Sequence, residues 1–252
     1  MKISILTLFP QMVQSFFNES IIKRAIEKEQ VQIEIVDIRS FATDKYRTVD
    51  DKPYGGGAGM VLKMEPVIAA LRSVVPTVPD TSTRVLMTSA KGAHYNQAKA
   101  KELAQLKQVV ILCGHYEGFD DRITRFVDEE VSIGDFVMTG GEIAAAAITD
   151  SIVRLLNGVL KKETATEEES FYTVPLELLI KAVGPSAELT QLKEAGRTSV
   201  QLLEYPHYTR PEEFEGLTVP EVLLGGNHAE IEKWRLQQAF KETLKKRPDL
   251  LQ

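Results

Sequence analysis

Val109, Val110, Ile111, Leu112 and Cys113 form a run that is apolar at every position. A strand of this kind is buried on both faces, which is the situation inside a parallel sheet covered by helices on its two sides. The rest of the first half fits such a sheet. Residues 3–8 read as a second compact apolar strand, 31–35 alternate with period two, and 84–88 give another strand. Between them, the spacing of Ile21, Ile22, Ala25 and Ile26 predicts a helix over 18–30. Further helices are expected over 65–75, with Pro66 in the first turn, over 96–105, and over the alanine-rich stretch 141–156. Residues 39–52 read as a polar connection, 76–82 as a loop and 136–138 as a short strand. Strands alternating with helices define an α/β domain with a mostly parallel sheet.

The pattern changes near Gly158. Residues 161–170 are strongly polar, with Glu163, Glu167, Glu168 and Glu169 close together, and Gly184-Pro185 and Gly196 punctuate a stretch of weak periodicity. Residues 220–224 fit a short helix closed by Gly225-Gly226. Asn227 then suits the N-cap of a last helix, with Glu230 three residues on as in a capping box and Ile231, Trp234 and Phe240 as its apolar face. The expected layout is an α/β domain over 1–160, a linker over 161–201 and a small helical domain over 202–252.

At 252 residues the chain is long enough to bury a core without staples, and its single cysteine, Cys113, excludes an internal disulfide or a multi-cysteine zinc site. No metal site is expected. No apolar run approaches membrane-spanning length, and the N-terminus lacks the features of a signal peptide, so a reduced, cytoplasmic protein with no membrane partner is expected. The net charge of −6 argues mildly against a nucleic-acid partner, but it is unevenly spread. Residues 227–252 carry six basic against four acidic residues, a local +2 that leaves −8 on the rest. Such a helix suits a local nucleic-acid contact and equally an ordinary solvated face.

Four segments have the composition of a working site. Residues 50–60 contain Gly55, Gly56, Gly57 and Gly59, which permit close backbone approach to a ligand or simply a flexible surface loop. No Gly-Lys-Ser/Thr follows and no strand leads in, so neither a P-loop nor a dinucleotide fingerprint is present. Directly after the buried strand comes Gly114-His115-Tyr116-Glu117-Gly118-Phe119-Asp120-Asp121-Arg122. In open α/β sheets ligands sit outside the carboxyl ends of the strands, where this segment falls; His115 and Arg122 also suit partnership with neighbouring acids. Residues 132–142 again combine glycines with the start of a helix, and the two segments suggest one ligand held largely by backbone groups. Last, Tyr205-Pro206-His207-Tyr208-Thr209-Arg210-Pro211 and Gly226-Asn227-His228 offer side chains suited to phosphate and base contacts.

These motifs, with Arg47-Thr48-Val49-Asp50-Asp51-Lys52-Pro53-Tyr54 before the first glycines, closely resemble the bacterial tRNA (guanine-N1)-methyltransferase family, TrmD. The resemblance runs in order over nearly the whole chain. It implies a SPOUT-class α/β fold with a parallel sheet threaded as a deep trefoil knot, plus a small C-terminal helical domain. It also implies a homodimer that takes S-adenosylmethionine as cofactor and methylates N1 of guanosine 37 in tRNA; Mg2+ goes with the family and has no ligand motif here. Carried over as cofactor-binding are Met87, Thr88 and Ser89, then Gly114, Tyr116, Glu117 and Gly118. The loop Ile133, Gly134, Asp135, Phe136, Val137 and Met138 follows, with Gly140 and Gly141. Residues expected at the tRNA are Arg47, Asp51, Gly55, Gly56, Gly57, Gly59, His207, Tyr208, Arg210, Asn227 and His228.

Methylation at guanine N1 needs a base to remove its proton and a cation beside O6. The resemblance puts the cation at Arg154. It puts the base at Glu169, where the family has aspartate, with Glu168 as the alternative. The chain also departs from the family in a long insertion over 172–201, expected to be either partly helical (176–183 and 187–195) or disordered. Ala90 and Ala144 stand where the family usually has proline, and His115 where many members have arginine. The rival expectations are a SPOUT enzyme for another RNA base and an RNA-binding protein that keeps the fold without the catalysis.

Overall fold

The computed structural model describes residues 1–75, 81–161 and 169–251. The chain divides into two compact units, Met1–Lys162 and Glu163–Gln252. In the first unit the order is β1 (Lys2–Thr7), α1 (Pro10–Phe17), α2 (Ser20–Glu27), β2 (Gln32–Asp37), β3 (Asp50–Asp51), β4 (Val61–Leu62), α3 (Met64–Val74), β5 (Thr83–His94), α4 (Gln97–Leu103), β6 (Gln108–Leu112), β7 (Glu129–Ser132) and α5 (Glu142–Val153). Five strands form one sheet in the order β2-β1-β6-β5-β7, and every pairing is parallel. The apolar run 109–113 thus supplies four of the five residues of the central strand, β6.

Period-two alternation divides the core between the two faces of this sheet. Ile3, Ile5, Val109, Ile111 and Cys113 pack with Val13, Phe17, Ile22, Leu103, Ile148 and Ile152 from α1, α2, α4 and α5. Leu6, Val110 and Leu112 point the other way, against Val67, Ile68 and Leu71 of α3. Being apolar on both faces, β6 is buried at every position.

Two local expectations need correction. Residues 136–138 are not a strand; the outer strand is β7, Glu129–Ser132, whose two acids conceal it from a hydrophobicity reading. The strand expected at 84–88 continues to His94, and its pairing with β7 shifts register between Thr88 and Ala93, both opposite Val131. Helix α1, not foreseen, starts at Pro10, whose missing N–H costs nothing in a first turn. The loop expected at 76–82 falls mostly outside the described residues.

The second unit comprises β8 (Tyr172–Pro175), α6 (Leu176–Val183), α7 (Ala187–Glu194), β9 (Ser199–Leu202), β10 (Glu213–Phe214), β11 (Leu217–Thr218), α8 (Glu221–Leu224) and α9 (His228–Lys246). Part of the span expected as a linker, 161–201, belongs to this unit, and the small helical domain expected over 202–252 carries the short strands β10 and β11 beside α8 and α9. Residues 172–201 are folded: β8 and β9 pair antiparallel, and Val174, Leu176, Leu179, Leu189 and Val200 share a core with Ala239 and Phe240 of α9 and with Leu251. Of the two alternatives, partly helical is the one observed. The pairing of two strands across Gly184 and Gly196 is a non-local contact, which periodicity within one segment does not register.

Ser186 caps α7 by accepting from Leu189 N–H at 3.2 Å. Ser186→Ala is therefore expected to lower stability by about 1 kcal/mol, read as a fall in the melting midpoint.

Candidate active site

The site lies at the carboxyl ends of the central strands. After β6 the chain turns through 113–120, and after β7 through 133–141. The two loops are bonded directly: Gly141 N–H donates to Gly114 O at 2.7 Å, and His115 and Gly140 form an antiparallel bridge. Thr88, where β5 loses register with β7, ties them to the sheet. Its hydroxyl donates to Leu112 O at 3.1 Å and accepts from Gly114 N–H at 3.2 Å.

This crowding explains the glycine pair. A Cβ on Gly141 would stand 2.0 Å from Thr88 Oγ1 and 3.0 Å from Gly114 N; one on Gly140 would stand 2.3 Å from Glu142 Oε2 and 2.4 Å from His115 Nδ1. No side chain fits at either position without displacing one of these neighbours.

The glycine-rich segment joins the same place through β4. Glu117 N–H donates to Met60 O at 3.0 Å, Leu62 N–H to Gly118 O at 2.9 Å, and Asp120 N–H to Leu62 O at 3.0 Å. Strands β3 and β4 pair antiparallel, so Gly55, Gly56, Gly57 and Gly59 form the exposed loop of a hairpin hung beside 117–120. Asp51 and Arg47 are also exposed on this segment, which Asp44 shapes by accepting from the N–H groups of Tyr46 and Thr48 at 3.0 and 2.8 Å.

A cavity of about 300 Å³ opens between the loops. Met87, Thr88, Ser89, Gly114, Tyr116, Glu117 and Gly118 line it, together with Ile133, Gly134, Phe136, Val137, Met138, Gly140 and Gly141. Of the residues expected at the cofactor, Asp135 alone is absent from this wall. Its carboxylate meets His94 Nε2 at 2.7 Å, both side chains being largely exposed. The motif carries Asp135 into the set, but the turn at 133–136 aims it at the end of β5.

The wall also holds residues outside the expected cofactor set, among them Lys91, Thr124, Glu130 and Thr139. Thr139 lies inside a quoted motif, so contiguity is a usable signal. Lys91 sits on the part of β5 that was not foreseen, and nothing local marks it. Ala90, Ala144 and His115, the departures from the family pattern, all lie on the wall as well.

Arg122 is a partner of a neighbouring acid, as its alternative reading had it. It makes a two-point contact with Asp120 at 2.8 and 2.7 Å, which holds the Asp120 carboxyl below the usual carboxylate range. Burial, with the nearby Glu142 charge adding, pushes the Cys113 thiol well up and makes it a poor nucleophile.

Arg154 is the C-cap of α5 and half-buried. At 1.5 Å per residue, thirteen residues of helix put it about 20 Å from Gly141 along the axis. Glu169 is in the second unit, half-buried, where its carbonyl accepts from Tyr172 N–H at 3.1 Å in the turn before β8. Glu168 lies outside the described residues.

In the second unit, His207, Tyr208 and Arg210 form an exposed segment lying along α9: Tyr208 packs against Trp234, and the Arg235 guanidinium lies 4.8 Å over the Tyr205 ring. Asn227 caps α9 with a long contact of 3.5 Å to Glu230 N–H, and His228 opens it.

Fold and site define an α/β protein with a cavity at the carboxyl ends of a parallel sheet, lined by the loops that follow its strands. The family model for tRNA (Guanine-1)-methyltransferase TrmD matches residues 1–252. A tRNA (guanine-N(1)-)-methyltransferase of Carboxydothermus hydrogenoformans is 48% identical over 252 residues, all of this chain and 87% of the relative. Proteins of the same name are similar in Bacillus velezensis, at 46% over 252 residues and 92% of the relative, and in Endomicrobium trichonymphae, at 44% over 258 residues and 99% of the relative; both cover this chain fully. The chain belongs to the tRNA (guanine-1)-methyltransferase family.

Proposed function

We propose that this protein transfers the methyl group of S-adenosylmethionine to N1 of guanosine 37 of tRNA, and that it works as a homodimer with a knotted cofactor domain. The observation that carries the reading is that both glycine-bearing strand ends line one cavity in a chain whose family acts on guanine N1.

The residues present suit the cofactor. The cavity is at the small end of the range of about 300–1,000 Å³ for small-ligand sites. Gly118, where nothing lies within 4 Å of a Cβ position, leaves room for a polar nucleoside, and Ile133, Val137 and Met138 supply the apolar surface. The bound cofactor supplies a methyl group already activated by its sulfonium centre.

The remaining work falls to the protein. Guanine N1 carries a proton at neutral pH, so Glu169 accepts it, and Arg154 stabilises the charge that develops on O6. The guanine leaves its stack to reach the methyl group. A helix of about 20 Å between Gly141 and Arg154 is too long for that guanidinium to serve its own chain's cavity. This supports a site completed by a second copy. The exposed Met12 and Phe16 of α1 and Ile143 of α5 supply apolar surface for such an association. Within the second unit, the His207–Arg210 segment and the basic α9 are the surface offered to tRNA, along with the hairpin loop from Arg47 to Gly59 in the first. Among the described residues no helix is long and apolar enough to cross a membrane, and a cytoplasmic location goes with this reading.

The test is incubation with methyl-labelled cofactor and unmodified tRNA bearing guanosine at position 37, and with the same tRNA bearing adenosine there. Label is expected in the first transcript only. Equal label in both defeats the substrate assignment, and cofactor binding without turnover points to an RNA-binding protein that has lost catalysis.

A further inference from the structure

Beneath the cavity wall lies an acid that the reaction does not use. Glu142, the first residue of α5, has a side chain only 2% exposed. A carboxylate so placed is costly unless its oxygens are satisfied. The positive end of α5 offsets part of that cost. One oxygen is provided for: Thr7, at the end of β1, donates its hydroxyl to Oε1 at 2.7 Å, while the same hydroxyl accepts from Phe9 N–H at 2.9 Å. The other oxygen, Oε2, has no hydrogen bond, and neither has the buried Nδ1 of His115, which faces it at 3.8 Å. Both atoms crowd the one position, Gly140, at which a side chain would separate them.

The His115 ring is confined as well, with the Phe9 ring 4.7 Å away on one side and Tyr116 at 4.8 Å edge-on. An Nδ1–H is the donor that the geometry brings to Oε2. Thr7, Glu142 and His115 then join the end of β1, the start of α5 and the 114–118 loop below the cavity.

We propose that Glu142 is a positioning residue for the cofactor site that acts through His115: its buried carboxylate holds the imidazole proton on Nδ1 and so fixes the loop that carries Tyr116 and Glu117. Loop position, and with it ligand affinity, depends on that electrostatic pairing across 3.8 Å. The inference rests on the cavity being the cofactor site, but its first test does not.

Long-range nitrogen–proton correlation spectra of the full-length protein are expected to show His115 protonated on Nδ1, and Glu142→Gln to move the proton to Nε2. In that variant the one amide oxygen serves Thr7 and the amide N–H₂ faces the ring. A neutral wild-type ring protonated on Nε2 overturns the proposal. Titration calorimetry with S-adenosylmethionine gives the second arm, with melting curves to establish folding. His115→Phe and Glu142→Ala are each expected to weaken binding about tenfold, and the double variant by no more than twofold beyond either. Additive losses mean that Glu142 acts on its own, which also overturns it. A wild-type protein that binds no cofactor sinks the proposed function instead and leaves the spectral result standing.

Discussion

Glu169→Gln is expected to lower kcat for methyl transfer by about 10²–10⁴-fold, the usual range for losing a general base, with cofactor affinity unchanged. Glutamine keeps the size and hydrogen-bonding reach of the side chain but has no useful basicity, so on the proposed role of Glu169 the guanine N1 proton loses its acceptor. Affinity is spared because Glu169 belongs to the second unit, whereas the cavity is formed within the first. Single-turnover kinetics with saturating cofactor and tRNA, beside calorimetry, separate the two quantities. Normal turnover by this variant means that another group is the base, and Glu168 becomes the next to replace. Glu169→Asp is the informative companion: it restores the residue of the family pattern and shortens the side chain by one methylene.

Gly141→Ala should disable the proposed cofactor site without touching any group to which the reaction is assigned. The new methyl would stand 2.0 Å from Thr88 Oγ1 and 3.0 Å from Gly114 N. Neither neighbour is free to move. The Thr88 hydroxyl is held by Leu112 O and Gly114 N–H, and Gly114 is backbone at the end of β6. Overpacking a fixed site costs about 1–3 kcal/mol, which corresponds to a loss of about 5–150-fold if it falls on binding. Calorimetry with the cofactor measures this. Gly225→Ala is the control, since a Cβ there meets nothing nearer than 3.9 Å, and it should bind as the parent does. Equal affinity for Gly141→Ala would mean that the two loops are not locked together through Thr88.

How much of this was legible in advance varies with the range of the interaction. The two-faced burial of β6 could be read from five apolar residues, because side-chain alternation is a local property of a strand. Strand β7 could not, since its acids lie at the sheet edge, and the 136–138 segment mimicked a strand while forming a turn. The folding of 172–201 was open for the same kind of reason: its helices have the right spacing, but their stability comes from Ala239, Phe240 and Leu251, distant in sequence.

The site divides along similar lines. Glycines grouped at strand ends announce backbone held close to something, and every residue the motifs carried to the cofactor lies on the wall except Asp135. That aspartate shows the limit of a motif, which gives membership of a segment but not the direction of a side chain. Glu142 shows the converse. In the sequence it is one more acid after two glycines, and it has no spacing that marks it.

The sequence by itself determined the α/β class, the central strand, the two loops and the family, because each rests on neighbours along the chain. Only the tertiary structure decided that Glu142 lies buried between Thr7 and His115, that Asp135 turns to His94, and that 172–201 is part of a core. These facts depend on distances between segments far apart in the chain, and burial, which sets the cost of a charge, exists only once those segments have met.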